Sequence, residues 1–243
     1  MPKVLISDKL SPKAAEIFRE RGLDVDFRPG IKNEELISAI KDADGLAIRS
    51  ATTVTAELMD AAESLKVVGR AGIGVDNVDV DAATQRGVVV MNTPFGNSVT
   101  TAEHAIAMMM SLARQLPAAN ASTHAGKWEK SAFMGMELAS KTLGLIGCGN
   151  IGSIVVDRAQ GLKMRVVVYD PFLSPEKATE IGVEKVDFDD LLRRADVVTI
   201  HAPLTDGTCN LLDATAFAKM KDGVQIINCA RGGILVENDL RDA

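Results

Sequence analysis

The sequence predicts an α/β protein in which parallel sheets are covered by helices and divided between two domains. Short apolar runs alternate with helical patterns along most of the 243 residues, and this alternation is typical of strands joined by crossover helices. A glycine-rich turn at residues 147–152 separates one such strand from one such helix. Because 47% of the residues are hydrophobic, the chain can bury a core in each domain.

A first domain is predicted at residues 1–98, since five strand patterns occur before residue 95. The predicted strands are residues 4–6, 24–27, 45–48, 67–69 and 88–91. The predicted helices between them are residues 11–21, 33–40 and 55–62. Ser11 is a candidate N-cap for the first helix and Gly22 a candidate stop.

A second domain is predicted at residues 99–243. It begins with an apolar helix at residues 100–116, whose three consecutive methionines are expected to fill a core or an interface. The polar stretch that follows, with His124 and Trp128, is expected to be a linker. Further strands are predicted at residues 143–146, 166–169, 197–200 and 224–227, and helices at residues 190–194 and 214–220.

The glycine turn has the spacing of a dinucleotide-binding fingerprint, G-x-G-x-x-G. Gly147 permits a tight turn, Gly149 lets backbone approach a pyrophosphate, and Gly152 lets the helix pack closely on the sheet. Asp170 ends the next strand, 18 positions after Gly152, where a carboxylate can bind a ribose 2′-hydroxyl and repel a 2′-phosphate. The sequence therefore predicts a Rossmann-type domain that binds NAD rather than NADP.

Polar residues follow several predicted strands, at the edge where open parallel sheets bind ligands. Arg49 and Arg70 end two strands of the first domain, and Arg231 follows a strand of the second. A guanidinium donates two parallel hydrogen bonds, so arginine is well matched to carboxylate and phosphate. Two interpretations of Arg49 and Arg70 remain open on position alone: ligands of an anionic substrate, or members of surface ion pairs.

Composition argues against several other classes of protein. The formal net charge is −6 and there is no basic run, which argues against nucleic acid as a ligand. No apolar stretch approaches the ~18 residues of a membrane span, and the first residues lack a signal-peptide pattern. The three cysteines and three histidines have no metal-ligand spacing. We therefore expect no metal, no membrane partner, and a reduced, cytoplasmic setting.

Several segments resemble the D-isomer-specific 2-hydroxyacid dehydrogenases, and together they extend over the whole chain. They are residues 49–55 (RSATTVT), 69–79 (GRAGIGVDNVD), 91–104 (MNTPFGNSVTTAEH), 126–130 (GKWEK), 133–135 (FMG) and 228–233 (NCARGG). The resemblance implies a Rossmann-type NAD-binding domain and a smaller, flavodoxin-like α/β substrate domain. It also implies that NAD accepts a hydride from C2 of a small anionic 2-hydroxy acid, here expected to be 3-phospho-D-glycerate at the entry to L-serine biosynthesis.

The resemblance also assigns roles to residues. Arg231 is the expected catalytic arginine, which grips the carboxylate and the C2 oxygen. The expected substrate contacts are Arg49, Arg70, Ile73, Gly74 and Asn97. The expected cofactor contacts are Gly147, Gly149, Asn150, Ile151, Gly152, Asp170, Ala202, Pro203 and Cys229. Cys229 is expected to be a wall residue rather than a nucleophile, and His201 to line the cofactor side rather than act as the catalytic base.

In the family, the general acid/base is a His held by a Glu, and both lie beyond the loop that carries Arg231. The sequence ends at Ala243, before those positions. We therefore expect a fragment in which both domains are incomplete at the C-terminus and which is catalytically impaired. A natural short form is the alternative.

Two other functions remain open from the sequence. One is a different D-2-hydroxyacid dehydrogenase, such as a glyoxylate or hydroxypyruvate reductase. The other is a non-catalytic, NAD-sensing binding protein similar to the C-terminal-binding-protein corepressors. The family dimerises through its cofactor domain, so a homo-oligomer (dimer or tetramer) is expected, with its interface at the helix of residues 100–116 and the segment around Trp128.

Overall fold

A computed structural model describes all residues from Met1 to Ala243. The chain divides into two compact units, Met1–Asn97 (unit 1) and Ser98–Ala243 (unit 2). Each unit has its own five-stranded sheet. None of the helices combines the length and the apolar character that are needed to cross a bilayer.

Unit 1 is a parallel sheet with the strand order β2-β1-β3-β4-β5. Its strands are β1 (Lys3–Ile6), β2 (Asp24–Phe27), β3 (Gly45–Ile48), β4 (Val67–Arg70) and β5 (Val89–Asn92). Its helices are α1 (Pro12–Glu20), α2 (Asn33–Ile40), α3 (Ala56–Asp60) and α4 (Val80–Gln85). The five strands predicted for this part of the chain are thus confirmed. Because all of them are parallel, their carboxyl ends meet at one edge of the sheet.

The central strand of unit 1 supplies apolar side chains to both faces of the sheet. All four residues of β3 are buried. Leu46 and Ile48 belong to a cluster on one side, and Ala47 belongs to a second cluster with Ala15 of α1. Successive side chains of a strand point to opposite faces, so helices cover both sides. Each fully buried Leu or Ile contributes about 1.5–3 kcal/mol.

Unit 2 is a parallel sheet with the strand order β10-β9-β6-β7-β8. Its strands are β6 (Thr142–Ile146), β7 (Arg165–Tyr169), β8 (Glu184–Lys185), β9 (Val197–Ile200) and β10 (Gln225–Asn228). Its helices are α5 (Ser98–Ala113), α6 (Leu116–His124), α7 (Asn150–Gly161), α8 (Pro175–Glu180), α9 (Phe188–Arg194), α10 (Ala214–Phe217) and α11 (Glu237–Asp242). The fold is the parallel α/β architecture that the alternating pattern predicts.

The central strand of unit 2, β6, is buried at every position. Its glycine at position 144 is required by packing, because a Cβ there would lie 2.7 Å from Leu191 Cδ2 and 2.9 Å from Ala195 Cβ. The absence of a side chain therefore lets α9 lie directly on the sheet. This close packing fixes the central strand from which the glycine turn at residues 147–152 emerges.

The predicted helix at residues 100–116 is wrong at its end. α5 stops at Ala113, and a second helix, α6, occupies the stretch that was predicted to be a linker. Gln115 between them has φ 53°, in the left-handed region, and Pro117 follows in the first turn of α6. No residue of α6 is buried, so its sequence lacks the apolar stripe that would have indicated a helix.

Other departures from the predictions are small and concern polar segments. α4, α8 and β8 were not predicted, and each has six residues or fewer. Ser11 does occupy the N-cap of α1, but its side chain makes no capping hydrogen bond. Of the three consecutive methionines, Met109 is buried, whereas Met108 and Met110 are 47% and 37% exposed.

Candidate cofactor and substrate sites

Two of the three fingerprint glycines are required by the packing of the protein itself. Gly147 has φ 89°, and a Cβ there would lie 2.9 Å from the backbone of His201 and Ala202. A Cβ on Gly152 would collide with the carbonyl oxygen of Gly147. Gly149 differs, because a Cβ there would meet no protein atom within 4 Å. Its open face is therefore available for close approach by a ligand.

The turn leads into α7, a helix of 12 residues whose N-cap is Gly149 and carries no side-chain cap. An uncapped helix start presents backbone N–H groups and the positive end of the helix dipole, and both favour a phosphate group. Ser153 of the first turn donates through Oγ to the Gly149 carbonyl at 2.6 Å. The local structure thus fits the pyrophosphate role that the sequence predicts for Gly149, Asn150 and Ile151.

Asp170 connects the fingerprint turn to the end of β7. Its Oδ2 accepts a hydrogen bond from Cys148 N at 2.7 Å, and its Oδ1 accepts one from Phe172 N at 2.7 Å. Each carboxylate oxygen has a second lone pair, so Asp170 can also accept from ribose hydroxyls. The residue therefore shapes the turn as well as supplying a ligand group.

A cleft of about 740 Å³ lies at the carboxyl ends of β6, β7 and β9. Its walls include the predicted residues Gly147, Gly149, Asp170, Ala202 and Pro203. The other predicted cofactor residues, Asn150, Ile151, Gly152 and Cys229, do not line it. Pro171, Phe172, Lys177 and Leu211 do line the cleft but were not singled out in the sequence. The short polar segments that carry the first three have no periodic signal.

Cys148 lies in the middle of the fingerprint and lines the cleft. Burial, with a smaller contribution from the negative charge of Asp170, raises the pKa of its thiol to about 11. Burial also raises the pKa of Cys229. Both thiols are therefore protonated near neutral pH, and neither has the environment of a nucleophile.

His201 also lines the cleft. Burial lowers the pKa of its imidazole to about 4, so the ring is neutral near pH 7. Nε2 lies 2.9 Å from Thr199 Oγ1, whereas Nδ1 is buried without a hydrogen-bond partner. A buried polar atom without a partner costs about 1–3 kcal/mol. This orphaned atom, together with the open face of Gly149, fits a polar ligand such as NAD in this cleft.

Asn228, the last residue of β10, orders the loop that carries Arg231. Its Nδ2 donates to the Arg231 carbonyl at 2.9 Å, and its Oδ1 accepts from Ala230 N at 3.0 Å. Arg231 itself is half-buried and donates from Nη1 to the Ala230 carbonyl at 2.9 Å. Asn228 belongs to a segment that carries the family resemblance, but no role was predicted for it; an Asn at a strand end before a glycine-rich loop was the available signal.

A pocket of about 290 Å³ lies at the carboxyl edge of the unit 1 sheet. Its lining residues are Arg49, Ser50, Arg70, Ala71, Gly72, Thr93, Gly96 and Asn97. They include two arginines and no acid. Neither arginine forms an ion pair, and Arg70 Nε is buried without a hydrogen-bond partner. The alternative that these arginines belong to surface ion pairs therefore has no support, and the pocket is suited to an anion.

The loop after β4 fits closely around the Arg70 side chain. A Cβ on Gly72 would collide with the Arg70 guanidinium, so a larger residue there would force this side chain to move. Asn92 Nδ2 donates to the Ile73 carbonyl at 2.6 Å and fixes the continuation of the loop. Ile73 and Gly74 are half-buried but do not line the pocket, unlike Arg49, Arg70 and Asn97.

No group of three or more His, Cys, Asp or Glu side chains is placed to hold a metal ion.

Comparisons with known proteins identify relatives of this chain. The family profile "D-isomer specific 2-hydroxyacid dehydrogenase, NAD binding domain" matches residues 106–243, which is more than half of the chain. The chain is 49% identical over 241 residues to a D-3-phosphoglycerate dehydrogenase of Archaeoglobus fulgidus and 50% identical over 238 residues to that of Rattus norvegicus. These matches cover 99% and 98% of the chain but 46% and 45% of the relatives. The chain thus spans about half the length of these relatives.

Solved structures of related enzymes have the same fold. A glyoxylate reductase of Paecilomyes thermophila has a TM-score of 0.91 at 29% identity, with coverage of 100% of the chain and 77% of the reductase. A D-lactate dehydrogenase of Aquifex aeolicus, solved with NAD and lactic acid, has a TM-score of 0.89 at 26% identity, with coverage of 99% and 72%. The prediction of NAD as cofactor is confirmed. The chain belongs to the D-isomer-specific 2-hydroxyacid dehydrogenase family, and residues 106–243 belong to its NAD-binding domain.

Proposed function

We propose that this protein oxidises 3-phospho-D-glycerate to 3-phosphohydroxypyruvate with NAD, the first step of L-serine biosynthesis. The observation that carries the proposal is the unit 1 pocket, which has two arginines, no acid, and a buried Arg70 Nε without a partner. A substrate with a phosphate in addition to its carboxylate supplies the anion that such a pocket needs. The names of relatives that are about half identical to the chain support the same substrate.

In the proposed reaction, bound NAD supplies the acceptor for the hydride from C2. Arg231 holds the substrate carboxylate and the C2 oxygen, and Asn228 keeps the Arg231 loop in place. His201 does not take the hydroxyl proton, because burial lowers its pKa to about 4. We assign the proton to the His–Glu pair that the family has beyond the Arg231 loop. Binding and orientation by these residues supply much of the catalytic effect.

The test is a steady-state assay of NADH formation by the complete natural protein, with 3-phospho-D-glycerate and unphosphorylated D-glycerate as substrates. We expect a clear preference in kcat/KM for the phosphorylated acid. Equal rates, or faster reduction of glyoxylate or hydroxypyruvate than of 3-phosphohydroxypyruvate, would support the second family activity instead. Binding of NAD without turnover of any 2-hydroxy acid would support the non-catalytic reading.

We also propose a homo-oligomer that forms through an apolar face of unit 2. We assign to this face the exposed residues Met108, Leu112, Leu116, Trp128 and Met134, which are 46% or more exposed, with Trp128 at 84% and Met134 at 78%. Covering apolar surface of this extent is a driving force for association. Light scattering after size exclusion gives the oligomeric state, and Leu112→Glu is expected to shift it towards the monomer.

A further inference from the structure

Asp8, at the carboxyl end of β1, is a buried carboxylate that binds the turn after β3. Asp8 is only 3% exposed. Oδ2 accepts from Arg49 N at 2.6 Å, Ala51 N at 3.1 Å and Thr52 N at 3.2 Å. Oδ1 accepts from Thr52 Oγ1 at 2.6 Å. Four donors from one turn therefore converge on one carboxylate, and no Lys, Arg or His forms an ion pair with it.

The carbonyl groups of the same turn are held from another direction. Asn77 Nδ2 donates to the Arg49 carbonyl at 2.7 Å and to the Thr52 carbonyl at 2.6 Å. Ser7 Oγ lies 2.8 Å from Thr52 Oγ1 and extends the network to the residue that follows β1. Both the donors and the acceptors of the turn are thus fixed by side chains from other elements. A turn of four residues without regular secondary structure gains a single conformation in this way.

The turn forms one wall of the anion pocket, because Arg49 and Ser50 line it. Burial acts to raise the pKa of Asp8, but the hydrogen bonds from Thr52, Arg49 and Ala51 outweigh it, so the pKa lies below its usual range. The carboxylate is therefore charged at neutral pH and binds the turn by charge-assisted hydrogen bonds, which are stronger than neutral ones. A wall that is already ordered spares the substrate the entropic cost of ordering it.

We propose that Asp8 is a positioning residue of the anion pocket: together with Thr52, it fixes the turn at residues 49–52 and so sets the affinity for the phosphate group. The identity of the substrate rests on the function proposed above, whereas the role of Asp8 requires only that the pocket binds a phosphate group. Asp8 does not touch the substrate. Its effect passes through the backbone of Arg49 and Ser50.

The experiment titrates the 243-residue chain with inorganic phosphate and with 3-phospho-D-glycerate, and follows the backbone amide resonances of Ser50 and Gly96. The variants are Asp8→Asn, Thr52→Val, which removes the hydroxyl at nearly constant shape, and Thr52→Ser, which restores it. The control is Asp42→Asn, which removes one negative charge from a side chain that is 71% exposed. The dispersion of the unit 1 amide resonances shows whether unit 1 of each variant is folded, and NADH affinity, a property of unit 2, should not change.

We expect Asp8→Asn and Thr52→Val to weaken the binding of both phosphate compounds by about tenfold or more. We expect Thr52→Ser, Asp42→Asn and all NADH affinities to stay within about twofold of the parent. Unchanged phosphate binding in Thr52→Val would overturn the proposal. So would a parent chain in which the Ser50 and Gly96 amide resonances do not shift with either compound. If phosphate binds as expected while the complete protein does not oxidise 3-phospho-D-glycerate, the proposed function fails and the role of Asp8 stands.

Discussion

The anion pocket of unit 1 and the cofactor cleft of unit 2 are both placed at the carboxyl edge of a parallel sheet, but they are built from different groups. The cleft offers backbone at Gly149, which has no side chain, and at the start of α7, which has no side-chain cap. The pocket offers the side chains of Arg49 and Arg70. Backbone recognition depends on close approach, and side-chain recognition depends on how well a long, flexible side chain is held.

A carboxylate at the end of a strand organises each of the two turns. Asp170 accepts from the backbone of Cys148 in the fingerprint, and Asp8 accepts from the backbone of three residues of the turn at 49–52. Asp170 is half-buried and faces the cleft, whereas Asp8 is buried and does not line the pocket. A strand-end carboxylate thus orders a turn in both units, but it faces the cleft in unit 2 and is enclosed by the protein in unit 1.

The largest effect is expected where the backbone itself is the ligand. Gly149→Ala places a methyl group on the open face of the turn, so the dissociation constant for NADH should rise more than tenfold without a change in Tm. Gly152→Ala, in contrast, places its methyl group against the Gly147 carbonyl and should lower the free energy of unfolding by about 1–3 kcal/mol. Each kcal/mol corresponds to about 2–4 °C of Tm. NADH fluorescence titration and calorimetry measure the two quantities. Loss of Tm in Gly149→Ala would break the distinction between ligand-facing and packing glycines.

The side-chain site should respond to single arginine replacements. Removing a charge-assisted hydrogen bond costs about 1.5–3 kcal/mol, so Arg70→Gln should raise KM for 3-phospho-D-glycerate by about 10- to 100-fold in the complete protein. Arg49→Gln should have a smaller effect, because Arg49 is exposed whereas Arg70 Nε is buried. D-glycerate, which lacks the phosphate, is the control substrate, and its KM should not change in either variant. An equal loss for both substrates would show that the pocket does not bind the phosphate.

The difference between the two sites also explains what the sequence could predict. The fingerprint was visible because glycines at 147, 149 and 152 and an acid at 170 follow one another within a single strand–helix–strand unit. The strands were visible because apolar runs such as those of β3 and β6 are buried on both faces. Such signals are local, and the structure places the residues chosen from them, Gly147, Gly149 and Asp170, along the cleft; their contact with the cofactor stays a prediction.

Long-range contacts could not be predicted in the same way. The bond between Asp8 and Thr52 joins residues 44 positions apart, and nothing in either segment alone indicates it. Arg49 and Arg70 could be chosen by position, but only the fold shows that they share a pocket without an acid. The end of α5 was missed for a different reason. Gln115, which ends the helix in the left-handed region, is not the glycine that usually marks such a position.

His201 allows a test of side-chain chemistry inside the backbone-built cleft. Its folded-state pKa is about 4, below the ordinary 6.5. Between pH 6.5 and 4 the unfolded chain binds a proton that the folded chain does not, so stability falls as the pH decreases through this window. From pH 7 to pH 5 the loss should be about 2 kcal/mol. Urea unfolding followed by far-UV circular dichroism measures it, and His201→Gln should remove this component. An unchanged slope in the variant would place the pH dependence elsewhere.

The smallest effects are expected from Asp170→Asn, which keeps an acceptor for the Cys148 amide but removes the charge. Discrimination against NADP should weaken, because the 2′-phosphate no longer meets a carboxylate. The pKa of the Cys148 thiol should fall but stay above its ordinary value of 9.0, since burial is the larger cause and Asp170 the smaller. The pH dependence of Cys148 alkylation by iodoacetamide reports this change. If the pKa returned to 9.0, the charge of Asp170, and not burial, would dominate the fingerprint turn, and the cleft would depend on side-chain electrostatics as much as the pocket of unit 1 does.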